Sequence, residues 1–272
     1  MSGHATPEAA LATETVSMPR DDAFPPEAPL LTVIVPVYNE ATTVDEILRR
    51  VLAAPYSKEI IVVDDGSTDG TADALEGWKG HGQITLLEHS KNRGKGAAVR
   101  TALAHARGRF TIIQDADLEY DPQDYPQVVK PLLSGQAEVV YGSRYLQATT
   151  SGKRPGRGLF RFGVAVLNLG VRLLYGLRLT DEATCYKVFP TEVLRRMDLQ
   201  SERFEFCPEV TAKVCRMGLK VREVPIQYNA RSVHDGKKIR WVDGLHAISA
   251  LWKWRSWRPA PGIGVPDRVH TD

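Results

Sequence analysis

Three carboxylates recur at alternate positions directly after an apolar run. The run is FTII at 110–113, and Asp115, Asp117 and Glu119 follow it. Alternate residues of an extended chain point to the same side, so these side chains are expected to converge where a buried strand ends. Closely spaced carboxylates repel unless a cation lies among them, and Mg²⁺ prefers such oxygen ligands together with substrate phosphates. The pattern favours a metal-diphosphate site. An acidic loop before the next helix is the alternative, because an Asp-Pro turn follows at 121–122.

Apolar runs alternate with helical patterns in the first half of the chain. Helical spacing begins near Thr42, and a Gly-Lys-Gly turn at 94–96 opens a helix that is expected to reach Ala106. The continuous, β-branched runs typical of buried parallel strands are 31–36, 59–63, 84–87 and 110–113. This alternation predicts βαβ units and a parallel α/β sheet.

Polar residues follow several of these strands. PVYNE at 36–40 follows the first strand, DDGSTDG at 64–70 follows the second, and the acidic stretch follows the fourth. Ligands of open α/β sheets bind at the carboxyl ends of the strands, so these segments are expected to meet at one site. Lys95, at a helix start, is a candidate phosphate contact, with a solvated lysine in a tight turn as the alternative. Neither GxGxxG after the first strand nor GxxxxGK[ST] occurs, which argues against dinucleotide and P-loop sites.

Composition places the chain among ordinary globular proteins. It has 272 residues, of which 43% are hydrophobic and 25% charged, with a net charge of +2. The three cysteines, Cys185, Cys207 and Cys215, have no CxxC spacing, which predicts free, buried thiols in a reducing compartment. No motif supports nucleic-acid binding.

Targeting signals are missing from the sequence. There is no charged start followed by an apolar segment, and no apolar run of the ~18 residues that a membrane span requires. We therefore expect a cytoplasmic protein that contacts a membrane, if at all, peripherally at its inner face.

Several short motifs in order resemble the family 2 glycosyltransferases, specifically the dolichyl-phosphate mannose synthase-like branch. They are VPVYNE at 35–40, VDDGSTDGT at 63–71, NRGKG at 92–96, DADL at 115–118, GSR at 142–144, TD at 180–181 with CYK at 185–187, and EVPI at 223–226. The resemblance covers residues 30–244 and implies a GT-A fold: an α/β class with a mixed, mostly parallel sheet flanked by helices. A Rossmann-like nucleotide-binding half and an acceptor half share that sheet. The flanking expectations are a disordered tail at 1–29 and a basic, aromatic helix and tail at 245–272.

The resemblance also assigns donor-site residues. It implies that the nucleoside is contacted by Pro36, Tyr38, Glu40 and Asp65, with Lys95, Asp115 and Ala116 completing the nucleotide-sugar site. Asp115 and Asp117 are implied to hold the diphosphate with Mg²⁺ or Mn²⁺. Glu119 stands where the family usually has Gln, and it is a candidate third metal ligand.

On the acceptor side the resemblance implies phosphate-binding cations. Arg144, Arg231 and Lys237 are implied to act with Asp117 in catalysis by holding acceptor and diphosphate oxygens. Gly236 replaces a Ser that the relatives often have. A solvated basic loop is the alternative interpretation of Arg231 and Lys237.

Two apolar segments have open roles. The helix that ends near Tyr175 is apolar except for a stripe of Arg161, Asn168 and Arg172, which suits a core helix, an oligomer seam or a membrane-surface element. The tail interleaves tryptophans with Lys and Arg between Trp241 and Arg258, which suits either a membrane interface or docking onto the domain.

The implied reaction is an inverting, metal-dependent transfer of a hexose from GDP-mannose or a UDP-glucose type of donor to a polyprenyl phosphate. A hydroxyl of a soluble metabolite or glycan is the alternative acceptor, and it would need a base, for which Glu205 and Glu209 are weak candidates. A nucleotidyltransferase and a non-catalytic scaffold are less favoured readings. A nucleotidyltransferase would carry a Gly-rich signature after the first strand, and this sequence has none there. The intact Asp115, Asp117 and Arg231 argue against a scaffold.

Overall fold

The structure is a computed structural model that describes residues 28–146, 159–231 and 241–259. The strands are β1 (Leu31–Val37), β2 (Lys58–Asp64), β3 (Ile84–Glu88), β4 (Phe110–Ile113), β5 (Val139–Ser143), β6 (Lys187–Pro190) and β7 (Val221–Pro225). The helices are α1 (Val44–Ala53), α2 (Thr71–Glu76), α3 (Lys95–Leu103), α4 (Tyr125–Leu133), α5 (Leu159–Tyr175), α6 (Thr191–Arg196), α7 (Phe206–Arg216) and α8 (Trp241–Lys253). Short 3-10 turns precede α4 at Pro122–Asp124 and follow α8 at Trp254–Ser256.

The strands form a seven-stranded sheet in the order β3-β2-β1-β4-β6-β5-β7. Strands β1 to β4 pair in parallel with one another, as β5 does with β7. Strand β6 runs antiparallel to both β4 and β5. The predicted mixed, mostly parallel sheet is therefore confirmed, and β6 joins its two halves.

Helices cover both faces of the sheet because the central strands are apolar on both sides. In β1, Val33 and Val35 pack into one hydrophobic cluster, and Ile34 between them packs into the other. Strand β2 repeats the pattern with Ile60 and Ile61. Helices α1 and α4 cover the first face, and α3 and α7 cover the second. This two-sided burial explains the continuous apolar runs in the sequence.

The predicted elements correspond closely to the observed ones, with shorter helices. Helix α3 ends at Leu103 and not at Ala106. Helix α5 ends at Tyr175, as predicted. Most of the predicted N-terminal tail lies outside the described residues.

Helices α5 and α8 pack against each other and against α7. Leu167 and Val171 of α5 meet Ala247 and Leu251 of α8 in a small apolar cluster. The tail helix is thus docked on the domain, one of the two alternatives considered for it. Within the described ranges, no helix has both the length and the hydropathy that a bilayer crossing requires.

The amino-terminal edge of the sheet is closely packed, and we predict that Gly108→Ala lowers the free energy of unfolding by about 1–3 kcal/mol. An added Cβ would lie 2.6 Å from the carbonyl carbon of Leu31 and 2.8 Å from the Thr32 hydroxyl. Backbone of the central strand β1 cannot yield without disturbing the sheet. Urea denaturation followed by circular dichroism measures the change.

Gly163→Ala in α5 is the matched control, because nothing lies within 4 Å of the added Cβ and Ala is favoured over Gly inside a helix by about 1 kcal/mol. Its unfolding midpoint should equal or exceed that of the wild type. Equal midpoints for both variants would contradict the close approach at Gly108.

Candidate functional site

Loops after β1 and β2 are joined by hydrogen bonds at the carboxyl edge of the sheet. The amide of Asn39 donates to the Ser67 hydroxyl at 2.9 Å, and the amide of Thr68 donates to the Asn39 side chain at 2.8 Å. The amide of Glu40 donates to the Thr71 hydroxyl at 2.9 Å. Asn39 has φ 53, a left-handed conformation that Asn tolerates better than most residues. The two predicted nucleotide segments therefore form one surface.

The acidic stretch is a turn, and the predicted extended chain is wrong there. Leu118 has φ 60, which reverses the backbone between Asp117 and Glu119. The start of the turn is anchored by Gln114, whose side-chain oxygen accepts hydrogen bonds from the hydroxyls of two buried tyrosines, Tyr125 and Tyr186. The three acids still lie close together, but the turn and not strand alternation gathers them.

Asp117 is the electrostatically strained member of this group. Burial, together with the neighbouring charges of Asp115 and Glu119, raises the pKa of Asp117 to about 7. Arg231 offsets the shift only in part. A carboxylate held among like charges is the arrangement that a bound cation relieves.

Lys95 neutralises Asp115, the first acid of the turn. Its ammonium forms an ion pair with Asp115 and lies 3.0 Å from the sulfur of Cys185. Burial lowers the pKa of Lys95, but Asp115 and Cys185 raise it more, so the side chain stays charged. The solvated-lysine alternative is therefore wrong: only 12% of the side chain is exposed. Whether it contacts phosphate stays a prediction.

Glu119 binds the chain that follows β7. Its carboxylate accepts hydrogen bonds from the Tyr228 hydroxyl at 2.7 Å and from the Arg231 amide at 2.8 Å. Its carbonyl accepts from the amide of Asn229 at 2.9 Å. These contacts fasten residues 228–231 to the acidic turn. A direct role for Glu119 in metal binding stays a prediction.

Arg231 connects the two halves of the site. Its guanidinium donates two hydrogen bonds, at 2.9 and 3.3 Å, to the carboxylate of Glu40. Only 17% of the Arg231 side chain is exposed, so the solvated-loop alternative is wrong for this residue. Lys237, its predicted partner, lies outside the described residues.

Asp65 is held by protein groups in this structure. Its carboxylate accepts hydrogen bonds from the amides of Arg93 and Gly94, at 2.9 and 2.7 Å, and His89 Nδ1 lies 2.6 Å from it. Asp65 thus ties the loop before α3 to the end of β2, next to Lys95. Its contact with a base remains a prediction, as do those of Pro36, Tyr38 and Ala116, which lie along the same edge.

Arg144 is a buried member of an ion pair. Its guanidinium donates to both oxygens of Asp181 at 2.7 Å, and its amide donates to the same carboxylate at 3.0 Å. The guanidinium also lies over the ring of Tyr228, 5.1 Å from the centroid. Since Arg144 is 5% exposed, its visible role is to position this part of the acceptor half. Phosphate binding by Arg144 stays a prediction.

Several site residues had no assigned role from the sequence. Asp181 and Tyr228 contact Arg144 from positions far along the chain, and Cys185 contacts Lys95. Only the fold brings these pairs together, so local spacing carried no signal for them. The three cysteines are free, as predicted, but each is partly exposed and not buried.

The weak base candidates are both engaged elsewhere. Glu209 is fully buried in an ion pair with Lys213 at 2.6 Å. Glu205 lies 3.5 Å from His246 of α8. Neither carboxylate contacts the acidic turn through any hydrogen bond among the described residues.

Asp115 and Asp117 are the residues that fit a divalent cation. Carboxylate oxygens are hard ligands, and the raised pKa of Asp117 reflects charge that a cation would balance. In the part of the chain that the structure describes, no group of three His, Cys, Asp or Glu side chains is arranged to hold a metal. A cation bound here would therefore draw further ligands from outside the protein, such as water or a diphosphate.

We predict that Asp117→Asn stabilises the metal-free protein at pH 8 but not at pH 4. The folded protein keeps the Asp117 proton up to about pH 7, whereas an unfolded Asp loses it near pH 4. The folded state binds more protons in that window, so wild-type stability falls as the pH rises through it. Asn has no such titration. Melting temperatures measured with EDTA across this range, for both proteins, provide the test.

Mn²⁺ at pH 8 should raise the melting temperature of the wild type more than that of Asp117→Asn. If the difference in melting temperature between the two metal-free proteins does not change with pH, the raised pKa of Asp117 is refuted.

Comparison with known proteins agrees with this geometry. Residues 32–199 match the family described as Glycosyl transferase family 2. A dolichyl-phosphate beta-glucosyltransferase of Trichomonas vaginalis is 30% identical over 230 residues, covering 78% of this chain and 67% of that protein. A dodecaprenyl-phosphate galacturonate synthase of Rhizobium johnstonii is 28% identical over 223 residues, covering 80% of this chain and 64% of that protein.

A solved structure is also similar. The mannosyltransferase from Pyrobaculum calidifontis, in complex with GDP-Man and Mn²⁺, superimposes with a TM-score of 0.54 and 28% identity, covering 74% of this chain and 56% of that chain. Both the sheet order and this likeness identify the GT-A fold. The family match spans more than half of the sequence, so the chain belongs to glycosyl transferase family 2 and is a glycosyltransferase.

Proposed function

We propose that this enzyme transfers a hexose from a nucleoside-diphosphate sugar to a polyprenyl phosphate, with inversion at the anomeric carbon. The observation that carries the proposal is the pair Asp115 and Asp117 beside the joined nucleotide loops, with the pKa of Asp117 raised to about 7. The relatives named after polyprenyl phosphates support the acceptor class.

The donor would bind along the carboxyl edge of β1, β2 and β4. Pro36, Tyr38, Glu40 and Asp65 would contact the nucleoside, and Lys95 and Ala116 would complete the site beside the acids. Asp115 and Asp117 would hold Mg²⁺ or Mn²⁺, which would supply Lewis-acid stabilisation of the departing diphosphate. The mannosyltransferase solved with GDP-Man and Mn²⁺ supports a divalent cation of this kind.

Arg231 is placed to respond to the donor. Its guanidinium is shared with Glu40 and lies near Asp117. A diphosphate offers oxygens of higher charge than one carboxylate, so the fork of Arg231 would bind it bidentately. Lys237 would add a second cation. Both would keep the acceptor phosphate and the leaving group aligned for in-line displacement.

The chemistry of the acceptor follows from the engaged acids. A phosphate oxygen is already anionic near pH 7 and attacks the anomeric carbon without a strong base. A hydroxyl acceptor would need a base within hydrogen-bond reach. Glu209 is locked by Lys213 and two backbone amides, so it is not available for that role. This arrangement favours the phosphate acceptor over a hydroxyl of a soluble metabolite.

We predict that the purified enzyme transfers label from tritiated GDP-mannose or UDP-glucose into solvent-extractable polyprenyl phosphate sugar when Mn²⁺ or Mg²⁺ is present. Asp117→Asn should lower kcat by about 10²–10³-fold. Asp121→Asn is the matched control: its carboxylate accepts the Gln123 amide at a nearby turn, and the activity of this variant should be preserved. Glycosylation of a soluble acceptor with a blank lipid assay would contradict the acceptor class, and an unchanged Asp117→Asn would contradict the site.

Polyprenyl acceptors reside in membranes, and α5 and α8 present a surface that suits one. Phe162, Leu169 and Leu173 lie on one outer face of α5 with 66%, 52% and 74% exposure. Leu245 and Trp252 of α8 are 55% and 57% exposed. Arg161 and Arg172 are exposed beside this apolar face of α5, where they suit anionic headgroups. We propose that this face binds the membrane peripherally.

Vesicle binding tests this surface. We predict that Leu173→Asp weakens cosedimentation with vesicles of phosphatidylglycerol and phosphatidylcholine, because it places a charge in the exposed apolar face of α5. Leu133→Asp is the matched control: Leu133 is 45% exposed on α4, on the other face of the sheet. Equal binding by both variants would contradict the assignment.

A further inference from the structure

A buried ion pair lies outside the proposed donor site and has no part in its chemistry. Glu209 and Lys213, one turn apart on α7, have no exposed side-chain surface and lie 2.6 Å apart. Burying two charges is costly, and apolar residues of similar volume often stabilise a protein as well or better. Stability alone therefore gives a poor account of the pair.

The pair holds the segment at 198–203, which we term the support loop. The two oxygens of Glu209 accept the amides of Gln200 and Ser201 at 2.8 and 2.7 Å. Lys213 donates to the carbonyl of Asp198 at 2.8 Å. Asp198 has φ 47, a conformation that a non-glycine residue adopts at a cost, so the loop needs these contacts to keep its shape.

The support loop in turn fixes the first turn of α3. The Glu202 carbonyl accepts the Ala97 amide at 3.0 Å. A Cβ at Gly94 would lie 2.5 Å from that carbonyl oxygen, and the backbone of Ser201 leaves no room for one at Gly96. The residue between these two glycines is Lys95, which pairs with Asp115.

The other side of the pair is covered by the end of the C-terminal helix. The ammonium of Lys213 lies 4.0 Å from the ring centroid of Trp254 and 5.2 Å from that of Trp257. Arg216 donates to the Trp257 carbonyl at 3.0 Å. A continuous set of contacts therefore runs from the end of α8, through Lys213 and the support loop, to Lys95 and Asp115.

We infer that Glu209 and Lys213 are positioning residues, which hold the support loop so that Lys95 stays seated beside Asp115. The expected effect on nucleotide binding rests on the proposed function, because that function places the diphosphate beside Asp115. The seating of Lys95 does not rest on it, and it can be measured without any nucleotide.

The first test is hydrogen exchange with mass spectrometry on wild type, Lys213→Met and the double variant Glu209→Leu/Lys213→Met. Both variants should exchange faster at 198–203 and at the first turn of α3, and Lys95 should react faster with an acetylating reagent. The double variant leaves no unpaired buried charge and should recover melting temperature relative to the single one. If α3 and Lys95 remain as protected as in the wild type, the inference is overturned.

Glu59→Gln is the matched control for loss of a buried carboxylate. Glu59 is 8% exposed and accepts the Gly108 amide and the Thr32 hydroxyl at the opposite edge of the sheet. It should lose stability without changing exchange at α3. A change at α3 as large as that of Lys213→Met would overturn the inference, because it would show general loosening.

The second test measures the Kd of GDP and of UDP, each with Mn²⁺, by calorimetry. The nucleotide that binds the wild type should have a Kd at least about tenfold higher for both Lys213→Met and the double variant. Its Kd for Glu59→Gln should equal that for the wild type. Recovery of affinity together with stability in the double variant would contradict positioning. Wild type that binds neither nucleotide would contradict the proposed function, while the exchange experiment would still decide the seating of Lys95.

Discussion

Negative charge concentrated at the carboxyl edge of the sheet is the constraint on which the rest of the site depends. Asp115, Asp117 and Glu119 occupy one turn, and each is balanced differently. Lys95 pairs with Asp115, and the Tyr228 hydroxyl and the Arg231 amide bind Glu119. Arg231 compensates the charge of Asp117 only in part, and the pKa of Asp117 is raised to about 7. Two of these charges are thus balanced by protein groups, and the proposed function assigns the third to a bound cation.

The mixed sheet joins the two halves of the domain and brings cations from both to the acidic turn. Strand β6 runs antiparallel between β4 and β5 and brings the acceptor half against the nucleotide half. Arg231 then reaches Glu40 across the site, while Arg144 is fixed by Asp181. Glu223 on β7 accepts the amides of Thr180 and Asp181, which holds that aspartate in place. The cations nearest the acids are thus positioned by elements from both halves.

Much of the nucleotide half could be predicted from the sequence, because its strands are continuous apolar runs and its polar residues follow their carboxyl ends. The turn at Leu118 could not, since a left-handed leucine has no local signature. The ion pair of Arg144 and Asp181 joins residues 37 positions apart, and the bond from Tyr228 to Glu119 spans 109. Such contacts depend on strand order, which short motifs do not encode. Strand β6 has the sequence KVFP, with a lysine and a proline at its ends, so it lacks the continuous apolar run that marked β4.

The charge of Asp117 is only partly compensated by the protein, and we propose that it binds a cation together with the donor diphosphate. Crystals grown with Mn²⁺ and a nucleoside diphosphate, measured at the manganese absorption edge, test it most directly. We expect an anomalous peak within coordination distance of the carboxylates of Asp115 and Asp117 and of diphosphate oxygens, with Lys95 still beside Asp115. A bound nucleotide with no peak at Asp117, or with manganese held elsewhere, would contradict it.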